Sequence, residues 1–333
     1  MLTSSGWHLD WEALGRHGSR RNKIFQSILF PVDFSDSCKC TAWYVRDLAK
    51  LTGGIITLLH VIPCRQAWYG AADVHSEVDG NEALRGPKRA QLAALAGFRD
   101  EYFSGVPCEI RVEAGAVGEQ IVDYAEHSGT DLIMMPTRGT ASTNRSLIGP
   151  NAATVLRSAS CAVWTGPHSE KLKPFTGFPS IACAIAPDAI LGEYVNEAMA
   201  LGAIFGSSVT FASAITGVSG SNEGGRVLTL EEEYPEAGLD QLVAGSRSTV
   251  YVETGPVGYV VRHVAEIQSA DLVVINRRRT PQSLAGFETH AYEIILESPC
   301  PVLSLPMKAM AVSIHIAQEH ETYMYEHCTY SEA

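Results

Sequence analysis

Short apolar runs alternate with segments of helical spacing along most of the chain. In its first part, the apolar runs predict buried strands, and apolar residues recurring every three or four positions predict amphipathic helices. The predicted strands cover 27–32, 55–62, 108–113, 131–135 and 161–165, and the predicted helices cover 37–51, 87–103, 117–127 and 151–157. Pro87 suits the first position of its helix, where no intrahelical N–H is needed.

The same order of elements returns further along the chain. The strands predicted there cover 180–186, 208–214, 248–253, 271–276 and 301–305, and the helices cover 196–205, 228–244, 257–268 and 287–297. Pro235 makes the helix at 228–244 weak, because an interior proline removes a backbone hydrogen bond. Alternation of helices with short apolar strands is typical of parallel sheets flanked by helices.

The strongest internal similarity joins residues 112–135 to residues 252–275, which align without a gap. Both segments carry Val-Glu, Gly, Val-Gly, Ala-Glu and Asp-Leu at the same positions. We therefore expect an α/β protein with two tandem, open, five-stranded parallel-sheet domains and helices on both faces. The expected parts are an N-terminal extension at 1–24, a first domain at 25–167, a linker at 168–177, a second, degenerate domain at 178–307 and a C-terminal tail at 308–333.

Composition and charge narrow the classes of function. Of the 333 residues, 46% are hydrophobic and 19% charged, as in ordinary globular proteins. A formal net charge of −12 argues against a general nucleic-acid binder, which needs a basic surface. No run of about 18 or more uncharged apolar residues indicates a membrane span, and residues 1–25 lack the apolar core of a signal peptide, so we expect a cytoplasmic protein. The eight cysteines are expected to be free thiols.

Four stretches of the chain resemble a known family. They are ILFPVDFSDS, LAKLTGGIITLLHVI, GAVGEQIVDYAEHSGTDLIMM and VLRSASCAVW. In this order they resemble the universal stress protein family. In the second domain, the resemblance rests mainly on residues 255–275 and the ending SPCPVLSLP. It implies a Rossmann-like sheet of the adenine-nucleotide α-hydrolase type, adenine-nucleotide binding in one branch, and dimer formation. Paired domains in one chain are a known arrangement of that family.

Three segments of the first domain should converge on a site, because open parallel sheets bind ligands beyond the carboxyl ends of their strands. These segments are Asp33, the pair His60 and Val61, and the loop 136–150. The resemblance implies that the acid after the first strand and the end of the second strand hold adenine and ribose. Asp33 matches that acid, and Val61 lies at that strand end. Asp33 also suits capping of the following helix, and the two roles are compatible.

The loop 136–150 resembles the phosphate loop of the family's ATP-binding branch, in which Gly, two residues, Gly, nine residues, Gly and Ser or Thr follow one another. Gly139 and Gly149 keep two of the glycines, but Pro136 replaces the first and Pro150 replaces the Ser or Thr. Neither proline offers an N–H, although Pro150 suits the first position of a helix. Donors able to compensate are Arg145, Ser146 and Asn151. ATP with Mg²⁺ is therefore a candidate ligand of the first domain.

The second domain departs further from that pattern. Ala186 stands at the position of Asp33, so the acid is missing there. In the ungapped alignment, the three glycine positions are occupied by Asn276, Arg279 and Thr289. His290 stands at the Ser or Thr position. We expect no ATP in this domain. The basic run 277–279 is interpreted as solvated charge, with attraction of an anion as the alternative.

Metal-binding and catalytic motifs are weak throughout the chain. Cys38 and Cys40 lie two positions apart on a predicted helix, so their side chains point in different directions. The histidines and acids at 315–328 have no specific spacing, and there is no nucleophile elbow, no HExxH and no repeated CxxC. We therefore expect no metal site and no catalytic set, and at most slow hydrolysis of ATP.

The last strands of the two domains, at 161–165 and 300–305, are apolar edges. An unpaired apolar edge promotes aggregation, so we expect the two edges to pair and make one chain an intramolecular pseudo-dimer. Cys161 and Cys300 would then lie near that junction, without a disulfide. A homodimer and an unidentified protein partner are further candidates, whereas nucleic acid and membranes are not expected as partners.

Two functions follow from this interpretation. The favoured one is a stress-response binding or scaffold module whose nucleotide loop has degraded. The alternative is an ATP-binding stress sensor that uses the first domain only. An enzyme of the wider superfamily is a third, weaker idea, because the sequence contains no evident catalytic group.

Overall fold

The computed structural model describes residues 24–63, 77–137, 147–166, 175, 177–185, 191–215, 226–228, 248–278 and 287–307. We refer to residues 24–166 as the first half and to residues 175–307 as the second half. In chain order, the first half contains β1 (Ser27–Pro31), α1 (Asp36–Thr52), β2 (Ile55–Pro63), α2 (Glu77–Tyr102), β3 (Cys108–Gly115), α3 (Val117–Ser128), β4 (Leu132–Met135), α4 (Pro150–Ser158) and β5 (Ala162–Thr165).

The second half begins with β6 (Ser180–Ile185), α5 (Leu191–Phe205) and β7 (Ser208–Ile215). It continues with β8 (Arg226–Leu228), β9 (Ser248–Thr254), α6 (Val257–Ile267), β10 (Leu272–Arg278), α7 (Phe287–Glu297) and β11 (Val302–Met307). Across the described residues, none of these helices combines the length and hydrophobicity needed to cross a bilayer.

The strands of the described residues form one sheet of eleven, in the order β3-β2-β1-β4-β5-β11-β10-β6-β7-β9-β8. Neighbours are parallel except for two antiparallel pairs, β5 with β11 and β8 with β9. The predicted α/β class with a mostly parallel sheet is confirmed. The strands at 161–165 and 301–305, expected to pair, lie side by side as β5 and β11 and so join the strands into a single sheet. One detail differs from the prediction, because β8 adds an antiparallel edge strand beyond the five predicted for the second half.

Two predicted helices differ from those observed. The helix α2 begins before Pro87, which therefore lies in its interior and not at its first position. Pro87 is exposed, so its ring faces solvent and the lost hydrogen bond lies on the outer side of the helix. The weak helix expected at 228–244 is wrong at its start, because Leu228 ends strand β8, while residues 229–247 lie outside the described part.

Helices cover both faces of the sheet, and each face has its own hydrophobic core. One core lies under α1, α2 and α5, and its largest buried side chains include Phe30, Trp164 and Phe211. The other lies under α3, α4, α6 and α7 and includes Leu59, Val163 and Val261. Each core runs through both halves, because alternate residues of every strand face the same side of the continuous sheet.

Two pairs of glycines explain part of the internal similarity. Gly115 and Gly255 turn the chain between strand and helix with φ of 152° and 156°, which favour glycine. A Cβ on Gly118 would lie 2.8 Å from Cβ of Thr154, and one on Gly258 would lie 3.1 Å from Cβ of Glu293. The second pair therefore allows close packing of α3 on α4 and of α6 on α7.

The shared aspartates tie each fourth strand to its first. Asp131 accepts hydrogen bonds from the backbone N–H groups of Gln26 and Ser27, at 2.6 and 3.1 Å. Asp271 accepts one from the backbone N–H of Ser180 at 3.1 Å. Burial raises the pKa of the Asp131 carboxyl to about 6, although its backbone hydrogen bonds act in the opposite direction. These two acids are structural, since they bond main chain at the amino ends of the strands.

The two halves meet at a seam, which we define as the antiparallel pair β5 and β11. Trp164 lies opposite Leu303, and Thr165 lies opposite Val302. The Thr165 hydroxyl donates to the Val302 carbonyl at 3.3 Å. Trp164 is only 2% exposed, so its side chain is buried at the seam. Cys161 and Cys300 are both buried free thiols.

Candidate functional site

The first segment of the candidate site is the turn between β1 and α1. Asp33 Oδ1 accepts hydrogen bonds from the backbone N–H of Ser35 at 3.0 Å and from its hydroxyl at 2.6 Å. Ser35 is the N-cap of α1, because its side chain accepts from the Cys38 N–H at 3.1 Å. Asp33 therefore holds the capping residue in place without being the cap itself, and it stands at the carboxyl end of β1.

The second segment is the end of β2. The His60 ring lies 2.8 Å, through Nδ1, from the Val32 carbonyl, and because a carbonyl only accepts, Nδ1 carries the hydrogen. Phe34 has an unusual positive φ of 61°, and its ring centroid lies 5.2 Å from that of His60. The Val61 side chain points to the opposite face and packs in the second core. His60 is thus the side chain of β2 that meets the β1–α1 turn, and Val61 offers only its backbone to this side.

The third segment lies beyond β4, where the chain leaves the sheet and returns at α4. The Gly149 N–H donates to the Thr137 carbonyl at 2.8 Å, which closes the base of the loop between them. Three of the residues proposed for phosphate contacts fall inside that loop, outside the described residues: Gly139, Arg145 and Ser146. The predicted loop frame is therefore visible at its two ends.

The helix α4 begins as predicted, with Pro150 in its first turn and Gly149 as its N-cap. Gly149 has φ of −64°, so no left-handed conformation requires a glycine there, and it supplies no capping side chain. Asn151 is exposed in the first turn, and the first intrahelical bond runs from the Ala153 N–H to the Gly149 carbonyl. The N–H groups of Asn151 and Ala152 therefore precede the helical ladder and point out of the end of the helix.

The fold brings these segments to one edge of the sheet. β1 lies between β2 and β4, so Asp33, His60 and the base of the loop at Thr137 and Gly149 follow three neighbouring parallel strands. The chain runs from β1 outward to β2 and β3, and then returns to place β4 and β5 on the other side of β1. The strand order therefore reverses between β1 and β4, and such a switch point is where open α/β sheets bind ligands. The described members of the predicted site are thus brought together, with His60 in place of the Val61 side chain.

One equivalent position differs sharply between the halves. An ungapped sequence alignment that matches Ser27 with Ser180 and Gly53 with Gly206 pairs Thr41 with Tyr194. The Thr41 hydroxyl bonds inside its own helix, donating to the Ser37 carbonyl at 2.9 Å. The Tyr194 hydroxyl instead crosses from α5 to the sheet and donates to the Val274 carbonyl at 2.9 Å.

Val274 is the last residue of β10 that is in register with β6. The ring of Tyr194, which is 3% exposed, therefore fills space where the two central strands of the second half separate. Thr41 is also buried, at 3% exposure, but it has no ring and no hydrogen bond to the sheet among those described.

The second half differs from the sequence interpretation at its basic run. Arg277 is 8% exposed, so neither a solvated charge nor a surface anion site describes it. Its guanidinium donates to the carbonyls of Leu156, Ala159 and Cys161, each at 2.7 Å. All three acceptors belong to the first half. His290, placed at the Ser or Thr position, lies in α7 and contacts Glu293 at 3.4 Å, while Ala186 and Arg279 lie outside the described residues.

The cysteine beside the first turn is buried. Burial raises the pKa of the Cys38 thiol to about 12, so it stays protonated at neutral pH. A protonated thiol is neither a nucleophile nor a ready metal ligand, and among the described residues no cluster of His, Cys, Asp or Glu has the arrangement of a metal site.

Comparison with known proteins adds family information to this geometry. Residues 25–165 match the sequence model of the Universal stress protein family. A universal stress protein of Methanocaldococcus jannaschii is 26% identical over 148 residues, which cover 42% of this chain and 81% of that protein.

Solved structures support the fold of nearly the whole chain. A universal stress protein from Archaeoglobus fulgidus superposes with a TM-score of 0.61 at 17% identity, covering 86% of this chain and 99% of its own. A protein of unknown function from Pseudomonas aeruginosa superposes with a TM-score of 0.54 at 18% identity, covering 85% and 93%. At these identities the likeness concerns the fold alone.

Proposed function

Through residues 25–165 the chain belongs to the universal stress protein family, and on that premise we propose that it is a one-site, nucleotide-responsive scaffold. In this proposal residues 25–167 form a domain that holds one adenine nucleotide, ATP with Mg²⁺. Residues 178–307 form a second domain that binds no nucleotide. The protein acts in the cytoplasm in response to stress, without a catalytic role beyond slow hydrolysis of ATP.

The observation that carries this proposal is the exchange of Thr41 for Tyr194 at the switch point. The first half keeps Asp33, the closed loop base between Thr137 and Gly149, and the small residue Thr41. The second half has a buried tyrosine bonded to the strand at the equivalent place. One working site and one retired site would differ in this way, because a tyrosine ring takes up room that a threonine leaves for other groups.

The remaining contacts assign roles within the proposed site. Asp33 would accept from ribose or adenine, held in place by its bonds to Ser35. The N–H groups of Asn151 and Ala152 would face phosphate oxygens at the positive end of α4. Gly149, Gly139, Arg145 and Ser146 would complete the phosphate contacts, and the Val61 backbone would border the base.

The seam is the proposed scaffold element. We propose that pairing of β5 with β11 replaces, within one chain, the pairing of two single-domain copies. Both strands are then occupied, and a second copy cannot use them. Light scattering on the purified protein should give the mass of a monomer, and any dimer would have to form through surfaces other than β5 and β11.

Substitution of Asp33 tests the nucleotide site most directly. We expect denatured, freshly purified protein to release one adenine nucleotide per chain, and MgATP at about a hundred times its Kd to stabilise the fold by about 2.7 kcal/mol. Asp33→Ala should abolish both effects. Asp36→Ala is the matched control, because it removes a carboxylate only three residues along the chain from Asp33. The Asp36 side chain is exposed, and within the described part of the chain its one ion pair is with Lys39.

A nucleotide-free scaffold is the second candidate. It is favoured by the two prolines of the loop, since Pro136 and Pro150 remove N–H groups that a phosphate would use. Absence of released nucleotide, together with no thermal shift at millimolar MgATP, would establish this candidate and overturn the one-site proposal.

A further inference from the structure

Arg277 connects the two halves through a single helix. It lies near the end of β10, where its backbone is fixed opposite Pro306 of β11. Its guanidinium reaches into the first half and bonds three main-chain carbonyls, those of Leu156, Ala159 and Cys161. Two of these carbonyls belong to the last turn and C-cap of α4, and the third belongs to the entry of β5.

The chemistry of this contact suits arginine and no other residue. A planar guanidinium directs several N–H donors at fixed angles, whereas a lysine ammonium is a compact point charge on a flexible stem that cannot reproduce this fork of donors. Positive charge at the carboxyl end of a helix also interacts favourably with its macrodipole. The contact therefore fixes both the position and the direction of α4.

The opposite end of α4 is the phosphate side of the proposed site. The helix has nine residues, so its two ends are about 13 Å apart. Its first turn has no side-chain cap, and Gly149 adds no packing there. Along its length, α4 is also held by its buried residues in the second core and by its close contact with α3, where Thr154 lies against Gly118.

The contact that Arg277 makes with the first half has no counterpart at the aligned position of the first half. The internal alignment pairs Arg277 with Thr137, whose side chain is too short to bond three carbonyls of the other half. The second half thus contributes an arginine that bonds the first half, whereas the aligned residue of the first half is too short to make such a contact.

We propose that Arg277 is a positioning residue for nucleotide binding: it holds α4 from the second half, so that the N–H groups at the start of α4 are preorganised for a phosphate in the first half. This inference rests on the proposed function. The second half then does more than pair its strand β11 with β5. The affinity of the first half for MgATP depends on the contact that Arg277 makes across the seam.

The test compares three variants of the full-length protein. Arg277→Met keeps the length and removes the charge, and Arg277→Lys keeps the charge and removes the planar fork. Arg262→Met is the matched control, because Arg262 lies in the same half, on α6, and contacts Glu266, Glu297 and the ring of Tyr259. MgATP affinity is measured by calorimetry, hydrogen exchange of the α4 amides by mass spectrometry, and folding by denaturant titration.

We expect Arg277→Met to weaken MgATP binding by about tenfold, the equivalent of one well-placed charge-assisted hydrogen bond. Arg277→Lys should recover part of that loss, and exchange should accelerate in α4 for both. Arg262→Met should bind as the wild type does. Unchanged affinity in a folded Arg277→Met or Arg277→Lys protein would overturn the positioning role and leave the nucleotide site standing. If the wild type itself does not bind MgATP, the proposed function fails, and the assignment of Arg277 falls with it.

Discussion

The two halves share a frame and differ at the positions where a ligand would touch it. Gly115 and Gly255 make the same turn, and Asp131 and Asp271 tie the same strands. The differences fall at the carboxyl edge of the sheet, where Thr41 in one half corresponds to Tyr194 in the other. Residues that build the sheet have thus been kept in both copies, whereas those around the switch point have diverged, and the second half has gained contacts to the first.

The largest contrast is expected from truncating the pair at the switch point. Tyr194→Ala should lower the free energy of unfolding by about 3–5 kcal/mol, because it leaves a cavity where the ring packs and removes the hydrogen bond to the Val274 carbonyl. Thr41→Ala should cost only about 1 kcal/mol, since it removes one hydroxyl bonded within its own helix. Denaturant titration of both variants measures the difference. Equal losses would show that Thr41 fills its half as completely as Tyr194 fills the other.

The paired glycines offer a second contrast. Gly118→Ala should destabilise the protein by about 1–3 kcal/mol, because the new methyl would meet the rigid Cβ of Thr154 at 2.8 Å. Gly258→Ala should cost less, since its nearest contact, Cβ of Glu293, lies 0.3 Å further away, at 3.1 Å, so a smaller shift of the helix relieves it. The midpoints of thermal unfolding rank the two variants, and a reversed order would contradict the packing described for α3 and α4.

The buried acid Asp131 should give the stability of the protein a pH dependence. Its pKa is raised to about 6 in the fold, above that of the unfolded chain, so the folded state binds the proton more tightly. The contribution of Asp131 to stability is therefore largest below about pH 4 and is lost as the pH rises to about 6, by at most about 1.4 kcal/mol per pH unit.

Comparison with Asp131→Asn isolates the pH-dependent contribution of the Asp131 carboxyl to stability, because the asparagine amide does not titrate. The free energy of unfolding of the wild type, minus that of the variant, should fall between about pH 4 and pH 6 and stay constant above. Asp271→Asn serves as the control from the other half. A difference that rises with pH would mean that the backbone N–H bonds from Gln26 and Ser27 outweigh burial.

The smallest effect is expected from restoring a hydroxyl to the phosphate side of the site. Pro150→Ser returns one N–H and one hydroxyl at the start of α4, and each neutral hydrogen bond is worth about 0.5–1.5 kcal/mol. MgATP should therefore bind between about twofold and tenfold more tightly. Pro107→Ser, at an exposed position before β3, is the control for exchange of a proline. A variant that binds no better than the wild type would place the phosphate away from the first turn of α4.

Local signals in the sequence were sufficient for most of the fold. The apolar runs located the strands of the sheet, and Pro150 marked the start of α4, because both depend on neighbours in the chain. Local signals misled at Pro87, where an exposed proline is tolerated inside a long helix, and at Leu228, whose strand exists only because it pairs with β9.

The site was predicted less completely for the same reason. Asp33 was identified from its position after the first strand, but its bonds to Ser35 depend on the conformation of the turn. Strand alternation, once the register of β2 is known, selects His60 over Val61 as the side chain facing the turn. That register is set by pairing with β1 and β3, which are distant in sequence.

By itself, the sequence determined the class of the fold, the order of its elements, the repeated glycines and acids, and the absence of the Asp33 acid from the second half. These are properties of chain segments and of their alignment with one another. Only the tertiary structure decided which groups Arg277 and Tyr194 bond. An arginine in a basic run and a tyrosine on a helix look like surface and core residues of their own half. What they bond depends on which carbonyls the assembled sheet and helices present to them, and local sequence does not specify those neighbours.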